Sequence, residues 1–471
     1  MLGTSLLFRF LTVIAFLFGY WAWKPIFGLW VFRAKHYDPI WLLVVMVFFF
    51  LFAEKLSDLF LKLDAWLEVK SQKYIDFWEK LPSLQLRNLM LWFVAFYGIA
   101  SFLIAYPAKR FYGDAGAVVG FLEYGVVLHK REPLSPALFY YVHEWIGKAY
   151  HWPSIKTIQI TTSVAGAIAI LGLWHFCLTL TRKLKTDFTS GPLLKIFALI
   201  FLCSASTSEL WFGYVENYTV PNMFGIWVIA LIYRSPQQLS IPLFLLSLTL
   251  SFHLSFTTFL PAIALLLWAL PLNNKGKIKQ ALFLVLPLLI LWLIMQNVGY
   301  LRSEESGFGG GDGSAFVPWR AEDRTKYTPY LFLSKDHLIA IFNQQKLIAP
   351  TALILILALF PLWLKDQFWP MIRQWRTSEN PIDWPSSLNL LSLALIAICS
   401  FGLTMIWNPD LGPLMDWDLF AGSGIHLNLL ALALIFRHFH QAPIQYTAIL
   451  IMGILINLSQ SLNFILQNRG F

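Results

Sequence analysis

Apolar runs recur along this chain, many of them close to the about 20 residues that cross a bilayer as a helix. They constrain the fold more than any motif does. They fall at about 87–106, 156–180, 192–207, 219–234, 240–252, 255–271, 281–299, 347–364, 387–407, 422–437 and 443–466. Two more precede them, Leu2–Trp23 and Pro39–Phe52. The reading is an all-α, polytopic integral membrane protein with about thirteen spans. Composition agrees, with 58% hydrophobic and 13% charged residues where a soluble domain carries about 25% charged. Leu2–Trp23 lacks a small-residue cleavage site before its aromatic continuation, so it reads as an uncleaved helix rather than a signal peptide. The three cysteines, Cys177, Cys203 and Cys399, lie inside apolar runs and imply neither a disulfide framework nor a metal site.

Two units are expected. Residues 1–86 hold the first two apolar runs and an amphipathic stretch, Lys55–Leu81. Leu56, Leu59, Phe60, Leu63, Trp66 and Leu67 recur there at helical spacing, with Asp58, Lys62, Asp64, Glu68 and Lys70 on the other side. That pattern predicts a helix lying on a membrane face, its charges on the wet side. Residues 87–471 form the second unit. Its loops alternate in charge. One set is basic: Arg182, Lys183 and Lys185; Arg234; Lys275, Lys277 and Lys279; Lys365, Arg373 and Arg376; Arg437. The alternate set includes Ser208–Tyr218 and Asn408–Gly422, which have no Lys or Arg. The basic set is assigned to the cytoplasm and the acidic set to the outside. The net charge of +9 follows from the cytoplasmic loops facing anionic lipid. No basic stripe points to nucleic acid.

The outward loops hold the groups capable of chemistry. Tyr112–Pro136 contains Gly113-Asp114, then Glu123, then Arg131 and Glu132. Ser135 suits a helix N-cap and Pro136 a first helical position. A short surface helix is therefore expected, with Leu138, Tyr141, Val142, Trp145, Ile146 and Ala149 on one face and His143, Glu144 and Lys148 on the other. Ser208–Tyr218 carries Glu209, Tyr214, Glu216 and Asn217. Its aromatics alone fit the ordinary interfacial belt, but aromatic faces beside carboxylate and amide groups also suit a sugar ring. His253 sits at the next outward turn, where a lone histidine is more often a satisfied polar group than a ligand. Tyr300–Gln345 contains a glycine-dense stretch, Gly307–Gly313, that reads as a mobile lid. It lacks the Lys-Ser/Thr ending of a phosphate-cradling loop. Arg302 and Arg320 flank it and match phosphate oxygens. Equally, they can pair with Glu304, Glu305, Glu322 and Asp323. Asn408–Asp418 presents Asp410, Asp416 and Asp418 without a nearby Lys or Arg. Such a cluster calls for protons, a ligand cation or a metal; hard oxygens would suit Mg²⁺, Mn²⁺ or Ca²⁺, with Asp416 and Asp418 as ligands.

Over about residues 87–470 this layout resembles the GT-C superfamily of polytopic glycosyltransferases. The resemblance rests on an apolar helix, then an outward loop opening on Gly113-Asp114, then Glu132-Pro133-Leu134-Ser135-Pro136 and surface helices, then paired spans. It implies a polyprenyl-phosphate-linked sugar as donor, an inverting displacement on the outer face of a bacterial plasma membrane, and Asp114 as the acidic catalytic residue. Glu123, Arg131, Glu132, Tyr214, Glu216, Asn217, His253, Arg302 and Arg320 are then substrate-binding candidates. Ala115 stands where the protein-mannosyltransferase pattern has a glutamate after the aspartate, which leaves the acceptor class open. The chemistry needs one base, because a hydroxyl acceptor must lose its proton in the transition state. A transporter or flippase of lipid-linked glycans, a glycan polymerase or ligase working from the Tyr300–Gln345 loop, and a structural membrane subunit are the alternative readings. Against transport, mid-helix ionisable residues are scarce.

Overall fold

The computed structural model describes residues 39–79, 84–109, 111, 113–128, 132–183, 192–269, 273–297, 316–324, 330–370, 373, 385–408, 414, 416–439 and 441–469. Among them the regular elements are all helical, and the one β pairing is an isolated antiparallel bridge between Phe316 and Trp407. In chain order the helices are α1 (Pro39–Glu79), α2 (Leu84–Ala105), α3 (Ala115–Glu123), α4 (Leu134–Val142), α5 (Ser154–Lys183), α6 (Pro192–Cys203), α7 (Thr219–Arg234) and α8 (Ser240–Phe252). Then come α9 (Leu260–Ala269), α10 (Asn274–Asn297), α11 (Lys335–Ile348), α12 (Pro350–Trp363), α13 (Pro385–Ile406), α14 (Ala421–Phe439) and α15 (Pro443–Arg469). Several open on proline, which has no N–H to leave unsatisfied in the first turn.

Among the described residues seven helices are long and apolar enough to cross a membrane, and four further apolar helices are shorter. Leu2–Trp23 lies outside the described residues, so the count of thirteen does not emerge. The expected surface helix Lys55–Leu81 is also different in kind. It is continuous with the second apolar run as the 41-residue α1. Its charges are not all on a wet side either. Asp64 is buried, and its Oδ1 accepts the Leu193 N–H at 2.7 Å. It therefore satisfies an orphan donor in the first turn of α6.

The core forms around α14, almost all of which is buried. α12, α13 and α15 pack around it. Gly424 lets α14 approach α11 closely, since a Cβ there would lie 2.7 Å from the Ile348 carbonyl oxygen. α5 meets α7 on one side and α2 on another. Asn457 of α15 ties three elements together: its amide donates to Phe201 O and Ser204 Oγ, and its Oδ1 accepts the Thr351 N–H. α10 packs on α8 at the periphery and leaves most of its apolar surface uncovered.

The two ends of the bundle are chemically distinct. At one end Arg437 donates to Gln367 at 2.6 Å, Lys277 to Trp268 O, and Asn389 to Tyr233 O. At the other end the starts of α7 and α14 meet the ends of α8 and α13.

Candidate active site

At that second end is a cavity of about 290 Å³, lined by Asp114, Glu132, Tyr218, His253, Leu254, Ser255, Thr257, Leu403, Trp407, Asp416 and Leu419. The size is near the lower end for small-molecule sites. Three carboxylates from three distant stretches meet there, and among the described residues no Lys or Arg lines the cavity.

Local structure delivers each group. Gly113 has φ of 74°, a conformation that costs glycine little. It turns the chain from α2 into α3. Asp114 takes the N-cap position of α3 but makes no side-chain capping bond; it lines the cavity instead. Glu132 precedes Pro133, which occupies the N-cap position of α4. The expected cap, Ser135, is already inside the helix and buried, and its hydroxyl reaches Phe252 O at 3.4 Å. That bond joins α4 to the end of α8, directly before His253. His143, expected on the wet face of this segment, instead bonds Thr157 of α5 at 2.9 Å.

Glu132 is gripped from two sides. Asn217 Nδ2 donates to its Oε2, and His253 Nε2 lies 3.4 Å from its Oε1. His253 ends α8 in an extended conformation, and its Nδ1 accepts the Ser255 N–H at 3.1 Å. The Tyr218 ring lies edge-on to His253 with centroids 4.9 Å apart. Burial, and then the surrounding carboxylates with Glu132 foremost, push the Tyr218 phenol well above its ordinary pKa, so it stays a neutral donor.

Glu216 is buried but is not among the lining residues. Its Oε1 has no hydrogen-bond partner among the described residues. Burial, followed by repulsion from Asp418, Asp114 and Glu132, holds its carboxyl well above the usual range. Tyr214 is a packing residue; Trp417 Nε1 donates to its hydroxyl at 3.1 Å, and its ring meets Phe111 and Trp417 edge-on. Asp416 lines the cavity, and its charge, after burial, raises the Tyr330 phenol. Asp418 is buried; its Oδ1 accepts the Leu419 N–H at 3.0 Å, and its Oδ2 has no hydrogen-bond partner among the described residues. Among the described residues no group of three or more His, Cys, Asp or Glu is placed to hold a metal ion.

Not every candidate reaches the cavity. Glu123 is exposed at the end of α3. Arg320 is exposed and pairs with Glu322 at 3.6 Å. Arg131, Arg302, Asp410 and the glycine-dense stretch Gly307–Gly313 lie outside the described residues. Conversely, Ser255, Thr257 and Trp407 line the cavity without having been singled out. Trp407, at the end of a predicted span, carried the one usable signal, that of an interfacial aromatic. It is held by the chain that follows the glycines: Phe316 bridges to it with ring centroids 6.0 Å apart, and Val317 N–H donates to Ile406 O.

No family model matches this sequence, and no curated protein matches it. Among solved structures the chain is similar to ArnT from Cupriavidus metallidurans bound to undecaprenyl phosphate, at 12% identity and a TM-score of 0.44, over 80% of this chain and 77% of that one. It is similar also to the apo state of that protein, at 11% identity and a TM-score of 0.43, over 81% and 78%. At these scores the likeness carries no argument about activity.

Proposed function

We propose that this chain is a membrane glycosyltransferase that moves a sugar from a polyprenyl-phosphate-linked donor to an acceptor hydroxyl. The observation that carries the reading is the convergence of Asp114, Glu132 and Asp416 with His253 and Tyr218 on one cavity among membrane helices. Aromatic Trp407 and Tyr218 suit the faces of a sugar ring. Leu254, Leu403 and Leu419 suit the adjoining lipid.

Asp114 is the general base. It takes the acceptor's proton as the oxygen attacks the anomeric carbon, and the lipid phosphate departs with the bonding pair. One displacement inverts the configuration and needs no covalent intermediate. The departing phosphate needs positive charge or N–H donors rather than an acid, and Arg131 and Arg302 are the guanidinium groups assigned to it. A divalent ion held by Asp416 and Asp418, with waters and the donor phosphate filling the rest of its shell, would supply further positive charge to the departing phosphate. The cavity opens on the outer face, at the end opposite the basic loops.

Asp114→Asn keeps the shape and removes the proton acceptor. Transfer of labelled sugar from a lipid donor should fall about 10²–10⁴-fold, with donor binding retained. The same change at exposed Glu123 should leave the rate unaltered. Near wild-type turnover by Asp114→Asn would refute the assignment.

A further inference from the structure

His253 stands between the turn that follows it and Glu132. The Ser255 backbone N–H can only donate, so His253 Nδ1, 3.1 Å away, accepts. The Ser255 hydroxyl, 2.7 Å from the same nitrogen, completes that side. A neutral ring that accepts at Nδ1 carries its proton on Nε2. That nitrogen is the one facing Glu132 Oε1 at 3.4 Å. The other oxygen of Glu132 takes an N–H from Asn217. Each oxygen therefore faces one side-chain nitrogen, closely at Asn217 and at the longer 3.4 Å at His253, and the two come from different elements, one ahead of α7 and one after α8. Asn217 is buried and does not line the cavity, so its grip comes from the protein side. Pro133 follows at once with φ of −56° and leaves the chain next to Glu132 little torsional freedom.

We infer that Asn217 and His253 are positioning residues that hold Glu132 as a second working carboxylate, one that selects a polyhydroxylated ligand by accepting hydrogen bonds from its hydroxyls. Two N–H donors leave lone pairs on both oxygens, and a carboxylate so fixed makes charge-assisted bonds to hydroxyls without reorganising. The aromatic edges of Tyr218 and Trp407 border the same space. This assignment rests on the glycosyl-transfer reading but concerns a different residue from Asp114.

The same histidine also caps the turn Leu254–Phe259 through Nδ1, so a structural role must be separated from a positioning role. Two amides do this. In His253→Asn the side-chain oxygen falls near the place of Nδ1 and keeps the cap, while the donor toward Glu132 is lost. In His253→Gln the amide nitrogen reaches the place of Nε2 and keeps that donor, while the cap is lost. If positioning of Glu132 is the task, kcat/KM for sugar transfer falls about ten- to hundredfold in His253→Asn, as on loss of a hydrogen bond to a charged group. It stays within a few-fold of wild type in His253→Gln. Melting temperatures should show the opposite order. Equal loss of kcat/KM in both variants, or loss in His253→Gln alone, overturns the inference.

Cryo-EM maps of the two variants provide a readout that needs no substrate. Glu132 should remain on Asn217 in His253→Gln and change its side-chain position in His253→Asn; an unmoved Glu132 in both overturns the positioning role. Absence of any sugar transfer by the wild-type protein would count against the proposed reaction, and the maps would still decide the grip on Glu132.

Discussion

Gly166 offers a test of how tightly the site is braced from behind. It lies in α5, where a Cβ would sit 2.5 Å from Trp211 Cβ and 2.7 Å from both Trp211 Cα and its carbonyl oxygen. Carbon atoms pack comfortably at about 3.5–4.0 Å, so Gly166→Ala demands a retreat of about 1 Å. The obstacle is mostly backbone, and no rotamer change can relieve it. Trp211 closes the buried turn Ser206–Trp211, which leads directly to Glu216, Asn217 and Tyr218. Overpacking of this kind costs about 1–3 kcal/mol. Replacing a helical glycine with alanine returns about 1 kcal/mol, leaving a net loss of up to about 2 kcal/mol. The larger effect should be on rate, because a shift of about 1 Å in a site can cost up to 10²-fold. Gly402 in α13 is the control: a Cβ there has nothing within 4 Å, so Gly402→Ala should be neutral or stabilising by up to about 1 kcal/mol. Thermal melts in detergent and sugar-transfer rates on both purified variants make the comparison. If Gly166→Ala melts and turns over like Gly402→Ala, the bracing argument is wrong.

Glu216→Gln should change how stability depends on pH. Burial, then Asp418, Asp114 and Glu132, raise the folded-state pKa of Glu216, so the native state binds more protons than the unfolded chain between the two values. Stability then falls by up to about 1.4 kcal/mol per pH unit as pH rises from about 4.3 toward the raised value, and this loss is absent below the unfolded pKa. Glutamine has no such term, so the melting-temperature advantage of Glu216→Gln should grow from pH 4 upward; a difference that stays flat with pH would contradict the assignment. For the membrane orientation, Lys277→Cys should resist an impermeant thiol reagent added outside intact cells, and a cysteine introduced at Glu123 should react. Labelling at 277 from outside would invert the map.

Sequence reading located the helices well where lipid-like composition and turn chemistry coincide. The expected runs 219–234 and 240–252 match α7 and α8, because polar loops bound them on both sides. It misjudged α1 because the step from apolar to amphipathic character at Lys55 is a change of surroundings, not of backbone. Nothing between Pro39 and Glu79 breaks a helix, since the stretch contains no glycine and no internal proline. Asp64 looked solvated because its partner, the Leu193 N–H, is distant in the chain. The same limit applied at the site. Carboxylates stood out against an oily chain, so Asp114, Glu132 and Asp416 could be named. Which of them would face a cavity, and that Glu216 would sit behind it, depended on how α3, α8 and α13 pack. Ser135 illustrates the finer failure: its N-cap chemistry was sound, but Pro133 begins the helix two residues earlier and leaves the hydroxyl to Phe252 O.

The short helices α6, α7 and α8 bear on how deep the site would lie in a membrane. α6, α7 and α8 have 12, 16 and 13 residues, and at 1.5 Å per residue they rise about 18, 24 and 20 Å. A bilayer's hydrocarbon is about 30 Å thick. These helices are shorter than that, and the chain continues from α6 and α8 as the tight turns Ser206–Trp211 and Leu254–Phe259. In the proposed orientation the cavity, lined by Tyr218 ahead of α7 and His253 after α8, would then lie beneath the outer headgroups. A lipid-borne reactant can slide sideways to that depth with its tail still in oil, whereas a water-borne one must descend and shed much of its hydration. On the glycosyl-transfer reading, such depth would keep bulk water from competing as the nucleophile and would favour transfer over wasteful hydrolysis.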